Sequence, residues 1–267
     1  MNLVDVHCHL NHELFKADLP EVLKKAYAAG LRRILVSGVN PPNNREVLEL
    51  ARKHQPLIKA SLGIYPIDAL GIQPDAVGLP HHQGKIDLEE EFCFFEKNKT
   101  EITAIGEVGM DFHWADKEKT EVEQEHNFRK IIRFTIKLNK PIVIHSRKAE
   151  NECITVLEQE IKNKEIPVIQ HCFSGKKSLI HKAAELGHYF SIPPNIIKSS
   201  NFQTLVKIVP LTQLLTETDS PWLSPFSDRN EPAYVLETIK KIAELKQLSI
   251  EETAKQIWHN YERIFNA

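Results

Sequence analysis

VDVHCHL, residues 4–10, is an apolar run that ends in two histidines, His7 and His9. Alternate side chains of a β-strand face the same side, so the two Cα atoms would lie about 6–7 Å apart on one face. Two imidazoles in that position can reach one metal ion, but they also fit two ordinary histidines at a strand end. Cys8, between them, is expected to point the other way, into the packing. The rest of the chain decides between the two interpretations.

Seven further runs of the same kind follow along the chain and alternate with longer amphipathic patterns. The eight predicted strands lie at 3–8, 32–38, 58–64, 102–108, 141–146, 167–172, 187–192 and 213–219. The predicted helices lie at 19–29, 43–54, 87–98, 118–139, 148–163, 176–186, 200–208, 231–246 and 249–265. Strands that alternate with helices form parallel βαβ units.

Eight such units in a chain of 267 residues predict an α/β fold, a single (β/α)8 TIM barrel closed by C-terminal helices. The rival fold is a doubly wound open sheet, which would cluster functional residues at one switch point. No linker or repeat divides the sequence, so we expect one domain over residues 1–267. The irregular segment 68–85 is interpreted as a long loop on the face where barrels carry their active sites.

The composition is that of an ordinary soluble protein, with 42% hydrophobic and 26% charged residues. The formal net charge of −2 gives no global field for polyanions, so nucleic acid would have to be held by a local patch or by metal ions. Four widely spaced cysteines suggest neither a zinc knuckle nor a disulfide framework. With no signal peptide pattern and no apolar run near 18 residues, we expect a cytoplasmic protein that does not enter a membrane.

Potential metal ligands stand at the ends of five of the predicted strands. Each taken alone fits a structural histidine, a helix cap or a turn residue. If none of them binds a metal, their shared position at strand ends requires six coincidences of register. Burying these polar side chains together at one mouth without a partner would also be costly. Barrel enzymes build their sites on this face, which favours a metal centre, and a binuclear one. The residues are His7, His9, Glu107, His145, His171 and Asp219.

The motifs VDVHCHL, IGEVGMDF, HSR, HCFSG and ETDSPWL, followed by RNEP at 229–232, resemble those of the TatD-type metal-dependent deoxyribonucleases of the amidohydrolase superfamily. The resemblance extends from residue 4 to about residue 232. It implies a divalent-metal phosphodiesterase that acts on DNA, commonly as a 3′-to-5′ exonuclease. It also implies that one metal is bound by His7, His9 and Asp219, that Glu107 bridges two metals, and that His145 and His171 hold the second.

The sequence departs from the family pattern after the third strand. Family members often carry Gly-x-His-Pro-His there, whereas this chain has GIYPID, with Tyr65 and Ile67 at the histidine positions. These positions lie beside the substrate cleft in the family. Substrate preference is therefore the property that the departure affects.

Two divalent ions about 3.5–4 Å apart can activate a water and stabilise an in-line phosphoryl displacement. Glu107 and Asp219 are the predicted catalytic residues, Glu107 as the bridging carboxylate and Asp219 as the general base. The two metal ions are expected to be Mg²⁺, Mn²⁺ or Zn²⁺. Imidazole donors suit the transition metals better than Mg²⁺, so the identity of the metal stays open.

Four residues are predicted to contact the substrate: Arg147, Ser174, Tyr65 and Arg229. Arg147 is the best-placed fork for a phosphate oxygen, Arg229 is a second candidate, and Tyr65 can stack on a base. The expected partner is DNA, as single strands or 3′ ends, because the near-neutral charge offers few phosphate contacts. The oligomeric state stays open, with a monomer favoured.

Two other functions fit the same pattern. The first is a small-molecule metallohydrolase acting on a phosphoester, amide or lactone, which a closed pocket at the 65–85 loop and Arg147 would favour over an open groove. The second is a non-catalytic scaffold stabilised by its metal.

Overall fold

The computed structural model describes residues 1–72, 78–161, 166–226 and 228–265. Its eight strands are all parallel and pair in sequence order from β1 to β8. The predicted (β/α)8 barrel is confirmed, and the open sheet is excluded. The strands are β1 (Leu3–Cys8), β2 (Leu31–Ser37), β3 (Ile58–Ile64), β4 (Ile102–Gly109), β5 (Ile142–His145), β6 (Val168–His171), β7 (Tyr189–Ile192) and β8 (Leu214–Thr216).

Helices follow the strands and pack apolar faces on the barrel. The described α-helices are α1 (Leu19–Ala29), α2 (Pro41–Lys53), α3 (Pro66–Ala69), α4 (Leu88–Lys97), α5 (Lys117–Leu138), α6 (Glu150–Glu160), α7 (Lys177–Glu185), α8 (Ser200–Ile208), α9 (Val235–Lys246) and α10 (Ile250–Phe265). In the part of the chain that the structure describes, no helix is both long and apolar enough to cross a membrane.

The predicted helices agree with the described α-helices to within two residues at each end, apart from three places. The one-turn helix α3 lies at the edge of the segment interpreted as a loop, whose residues 73–77 fall outside the described residues. The predicted helix 148–163 starts later, at Glu150, and its residues 162–163 are likewise outside. The predicted helix 231–246 is preceded by a 3₁₀ turn at Pro232–Tyr234, so α9 begins at Val235.

Several buried hydrogen bonds join β8 and the residues after it to β1, among them a bond of 2.6 Å from the Thr216 hydroxyl to the Val4 carbonyl. The Asp5 carboxylate accepts hydrogen bonds from the Thr218 amide at 2.9 Å and the Thr218 hydroxyl at 2.5 Å. The His7 carbonyl accepts from the amides of Thr218 and Asp219 at 3.3 and 2.9 Å. Asp5 is fully buried, and burial raises the pKa of its carboxyl well above the usual range. These bonds join the strands that carry His7 and Asp219.

Two glycines allow β4 to approach its neighbours at the level of the site. A Cβ on Gly63 would lie 2.2 Å from the backbone nitrogen of Glu107, and a Cβ on Gly109 would lie 1.9 Å from the carbonyl oxygen of His145. Gly109 also has a φ of +150°, a conformation that favours glycine. Glycine at both positions is therefore required for Glu107 and His145 to meet.

We expect Asp5→Leu to destabilise the protein by about 3 kcal/mol or more, because the amides of His7 and Thr218 lose their acceptor and a buried unpaired donor costs about 1–3 kcal/mol. Asp5→Asn keeps an acceptor oxygen and should lose less. Urea unfolding in EDTA measures both variants against wild type. Equal stability of wild type and Asp5→Leu would contradict the role of Asp5 in closing the barrel.

His188 provides a test of stability against pH. Burial lowers its pKa from 6.5 to about 4, and its Nδ1 lies 3.0 Å from the Gln170 amide nitrogen. Between pH 6.5 and 4 the unfolded chain binds the extra proton, so the free energy of unfolding falls as the pH drops through that window. His188→Asn should remove up to about 3 kcal/mol of this fall. Urea unfolding at several pH values measures it, with the exposed His259→Asn as the control expected to match wild type.

Candidate metal centre

All six predicted ligands lie together at the carboxyl end of the barrel. His7 lies in β1, Glu107 lies near the end of β4, and His145 and His171 are the last residues of β5 and β6. Asp219 follows β8 with a φ of +54°, a left-handed conformation that aspartate tolerates better than most residues. The backbone amide of Asp219 donates a hydrogen bond to the His7 carbonyl, which fixes Asp219 beside β1.

His7, His9 and Asp219 form the first group of donor atoms. The Nε2 atoms of the two histidines are 3.3 Å apart. The Oδ1 of Asp219 lies 3.6 Å from Nε2 of His7 and 3.5 Å from Nε2 of His9. Three ligand atoms of these kinds, all within 4.8 Å of one another, are spaced as the ligands of one ion are.

Ser37 of β2 orients both of these imidazoles. The Nδ1 of His9 lies 3.1 Å from the Ser37 carbonyl oxygen, so Nδ1 must carry the hydrogen and Nε2 is left with its lone pair. The Nδ1 of His7 lies 3.1 Å from the Ser37 hydroxyl. Such hydrogen bonds fix the rings of metal-binding histidines. Burial, together with the charge on His171, lowers the pKa of His7 and favours the neutral, ligating form.

Glu107 lies between two sets of imidazoles and faces each with a different oxygen. Its Oε2 is 3.4 Å from Nε2 of His7 and 3.7 Å from Nε2 of His9. Its Oε1 is 2.6 Å from Nδ1 of His145 and 3.9 Å from Nε2 of His171. Although burial acts in the opposite direction, hydrogen bonds from His145 and His7 hold the pKa of Glu107 well below its usual range.

His145 is held from its other side by Asp111, a residue that the sequence analysis missed. The Oδ2 of Asp111 lies 2.8 Å from Nε2 of His145 and accepts a hydrogen bond from the Tyr65 hydroxyl at 2.9 Å. Against the effect of burial, Asp111 and Glu107 raise the pKa of His145 to about 9. The signal was an aspartate directly after the fourth strand, in the quoted motif IGEVGMDF.

His171 is held by Glu217, which the sequence analysis also missed. The Oε2 of Glu217 is 2.7 Å from Nδ1 of His171 and accepts from the Ser191 hydroxyl at 2.5 Å, while its Oε1 accepts from the Cys172 amide at 2.9 Å. Against the effect of burial, Glu217 raises the pKa of His171 to about 10, with Asp219 adding to the rise. The signal was the glutamate two residues before Asp219 in ETDSP.

Cys8 is fully buried in the core as expected. The same alternation of side chains predicts that Cys172, next to His171, points away from the histidines, but in the structure it does not. The sulfur of Cys172 lies within 4.8 Å of ligand atoms of His171 and Glu217. The strand ends at His171, and Cys172 has a φ of +43°, so the alternation of side chains stops one residue earlier.

The spacing of five of the six predicted ligands fits divalent metal ions, whereas His145 belongs to none of these groups, because its Nδ1 faces Glu107 and its Nε2 faces Asp111. Ligand atoms of His7, Glu107 and His171 also lie within 4.8 Å of one another, next to the group of His7, His9 and Asp219. The rings of His7 and His171 stack with centroids 3.6 Å apart, an arrangement that two imidazolium ions would oppose. Cations placed between these nitrogens and the carboxylates would satisfy both.

A cavity of about 400 Å³ opens beside the cluster. Among the predicted substrate contacts, Tyr65 and Arg147 line it, together with Trp114, Trp222 and the segment Leu79–His81. Its size is that of a small-molecule or single-nucleotide pocket. Leu79, Pro80 and His81 form one wall of the cavity.

The other two predicted substrate contacts are turned to different partners. Arg229 forms a two-pronged ion pair with Asp18, at 2.9 and 2.7 Å, and stacks on Phe15. Ser174 donates a hydrogen bond to Glu150 at 2.7 Å. Neither side chain lines the cavity. Both pairings join residues from different loops, which the sequence alone does not reveal.

A barrel that gathers four imidazoles and two carboxylates at one mouth, beside a cavity, has the architecture of a metal-dependent hydrolase. The sequence matches the family model described as TatD related DNase over residues 4–266. The chain belongs to this family, as its motifs indicated.

Individual relatives agree with the family model over nearly the whole chain. The human protein named deoxyribonuclease TATDN3 is 32% identical and covers 99% of this chain and 95% of its own. YabD of Bacillus subtilis, named an uncharacterized metal-dependent hydrolase, is 33% identical over 98% of both chains. The crystal structure of YJJV, a TatD homolog from Escherichia coli, has a TM-score of 0.85 at 25% identity and covers 99% of this chain and 98% of its own.

We expect Glu217→Gln to weaken metal binding by about 10–100-fold, because the amide no longer offers two acceptor oxygens to hold His171 in place. Calorimetric titration of EDTA-stripped, dialysed protein with Mn²⁺ or Zn²⁺ measures the affinity. Glu150→Gln is the matched control, since Glu150 contacts Ser174 outside the cluster. Equal affinities for the two variants would show that Glu217 does not position His171 for the metal.

Proposed function

We propose that residues 1–267 form one divalent-metal-dependent deoxyribonuclease domain that hydrolyses DNA phosphodiester bonds from the 3′ end at a binuclear site. Support comes from the family and from the names of relatives such as the human deoxyribonuclease TATDN3. The proposed ligands are His7, His9 and Asp219 on one side, His145 and His171 on the other, and Glu107 shared. All four cysteines are free thiols, which supports a cytoplasmic location.

The observation that carries the binuclear proposal is the position of Glu107. One oxygen faces the imidazoles of β1, and the other faces those of β5 and β6. A carboxylate offers two oxygens, and this one has imidazole nitrogens on both sides. When bound, two divalent ions supply Lewis-acid activation of a water and offset the charge of the phosphoryl group.

Asp219 is the proposed general base. Against the effect of burial, a hydrogen bond with His9 and the charge of His171 lower the pKa of Asp219, so the carboxylate is ionised at neutral pH and can accept a proton. Asp219 is also among the residues that line the cavity, so its carboxylate faces the space where a substrate would lie. Geometry and protonation state both suit the role.

The cavity supports action at a strand end. Its volume of about 400 Å³ takes one nucleotide and excludes a duplex. Arg147 lines the cavity, where its guanidinium can bind a phosphate in a forked arrangement. Tyr65 also lines the cavity, with its hydroxyl held by Asp111, and its ring can stack on a sugar or base. Trp222, which packs against His9, forms another wall.

The apolar wall of the cavity also favours a second candidate, a hydrolase of small phosphoesters. Val39, Leu79 and Pro80 give the pocket an apolar wall that suits a compact substrate. This candidate uses the same metal centre. It differs only in the group that is attached to the scissile phosphate, which is a compact alcohol instead of a DNA strand.

The test is digestion of single-stranded DNA labelled at either end, with Mg²⁺ or Mn²⁺ and with EDTA. We expect the 3′ label to be released first as a mononucleotide and the 5′-labelled strand to shorten stepwise. Asp219→Asn should lower kcat by about 10²–10⁴-fold through loss of the base. Asp87→Asn is the control, because Asp87 caps α4 and asparagine caps a helix equally well.

Other outcomes identify which part fails. Internal fragments would contradict exonuclease action, and release of the 5′ label first would contradict the polarity. Full activity in Asp219→Asn would contradict the base assignment. Hydrolysis of bis(4-nitrophenyl) phosphate without cleavage of DNA would favour the small-phosphoester candidate.

A further inference from the structure

Five cationic side chains stand exposed on three consecutive loops of the site face. Within the described ranges, no ion pair within 4.0 Å joins any of them to a carboxylate. Two follow β5, two follow β6 and one follows β7. We refer to this set as the basic arc: Arg147, Lys148, Lys176, Lys177 and Lys198.

The barrel places the three loops side by side. β5 pairs with β6 through Ile144 and Gln170, and β6 pairs with β7 through Gln170 and Phe190. Neighbouring strands lie about 4.8 Å apart, and the loops leave the same ends of these strands. The basic arc therefore covers one continuous side of the mouth.

Two cations on other sides of the mouth are paired with carboxylates. Arg229, after β8, pairs with Asp18, and Lys85, before α4, pairs with Glu123. Two carboxylates stand in the first turn of α6: Glu150 accepts a hydrogen bond from Ser174, and Glu152 pairs with Lys117. With five cations in the arc and these two carboxylates beside it, the rim beyond β5, β6 and β7 carries a local excess of positive charge on a chain whose formal net charge is −2.

The arc begins at the cavity. Arg147 lines the cavity, and its guanidinium lies 5.7 Å from the centroid of Trp114, which is 43% exposed. The Phe112 amide donates to the Arg147 carbonyl at 3.0 Å, so the loops after β4 and β5 are joined at this point. Lys148 has a φ of +58°, which for a lysine requires that the loop be fixed by its neighbours. Trp114 and Arg147 thus form a fixed aromatic and cationic platform.

We propose that the basic arc binds the single-stranded DNA that continues upstream from a terminal nucleotide in the cavity. This inference rests on the proposed nuclease function. Lysines that follow one another along a rim match a chain of phosphates, and an exposed tryptophan beside an arginine is a stacking platform for an unpaired base. A single strand fits both features, because its bases are free to stack on Trp114.

The test measures binding of a fluorescent single-stranded oligonucleotide by anisotropy over a range of salt concentrations, in EDTA so that nothing is cleaved. The triple variant Lys148→Ala/Lys176→Ala/Lys177→Ala should reduce the slope of log K against log salt by about 2, since each phosphate contact of a single strand contributes about 0.7. The matched control is Lys97→Ala/Lys137→Ala/Lys207→Ala, which removes three exposed lysines from outer helices. The control should keep the wild-type slope.

A second measurement compares kcat/KM for a long oligonucleotide with kcat/KM for a dinucleotide, with metal present. The ratio should fall at least fivefold in the arc variant and stay constant in the control, because only the long strand reaches the arc. An unchanged slope and ratio, or a wild type without salt-dependent binding, overturns the proposal. Tighter binding of duplex than of single strand, with the same loss in the variant, overturns the choice of a single strand.

Failure of this inference and failure of the proposed function are distinguishable. If wild type cleaves no DNA, the nuclease function falls and the arc loses its substrate. If wild type cleaves DNA while the arc variant binds and cleaves like the control, only the arc proposal falls.

Discussion

The bonds that join β8 to β1 are the constraint on which the site depends. Asp5 and the His7 carbonyl accept hydrogen bonds from the amides of Thr218 and Asp219, so the bonds that close the barrel also place Asp219. In a parallel barrel the strand ends meet at one rim only when the circle is complete. A buried aspartate is an expensive connector, and its three hydrogen bonds are what make it tolerable.

The candidate metal centre is built in two layers, because each imidazole is held by a hydrogen-bond partner on the side away from the shared space. Ser37 orients His7 and His9, Asp111 orients His145, and Glu217 orients His171. The outer partners are held in turn. The backbone amide of Asp111 donates to the Gln124 side chain, and the Ser191 hydroxyl donates to Glu217. These hydrogen bonds fix the orientation of the four imidazole rings toward a shared space, as the binding of an ion requires.

Features that depend on local pattern were predictable from the sequence. The eight strands follow from short β-branched runs, and the six ligands follow from their register at strand ends. The outer partners Asp111 and Glu217 stand in the quoted motifs, but their pairings were missed, because local pattern does not show that Glu217 meets His171 across 46 residues or that Asp111 meets His145 across 34. The same limit explains Arg229 and Ser174. Each was predicted to contact the substrate from its position in the sequence, and each pairs with a residue from a distant part of the chain. Cys172 shows a related limit at a strand end, because its left-handed backbone conformation ends the alternation of side chains between the two faces of the strand.

The closing pair Asp5 and Thr218 is 213 residues apart in the chain. During synthesis the ribosome therefore releases the two histidines of β1 long before the aspartate that completes their group exists. Until β8 emerges, the early strands have neither a closed rim nor a full ligand set, and contacts of such long separation form late in folding. The complete set of candidate ligands therefore exists only after β8 and Asp219 have been translated.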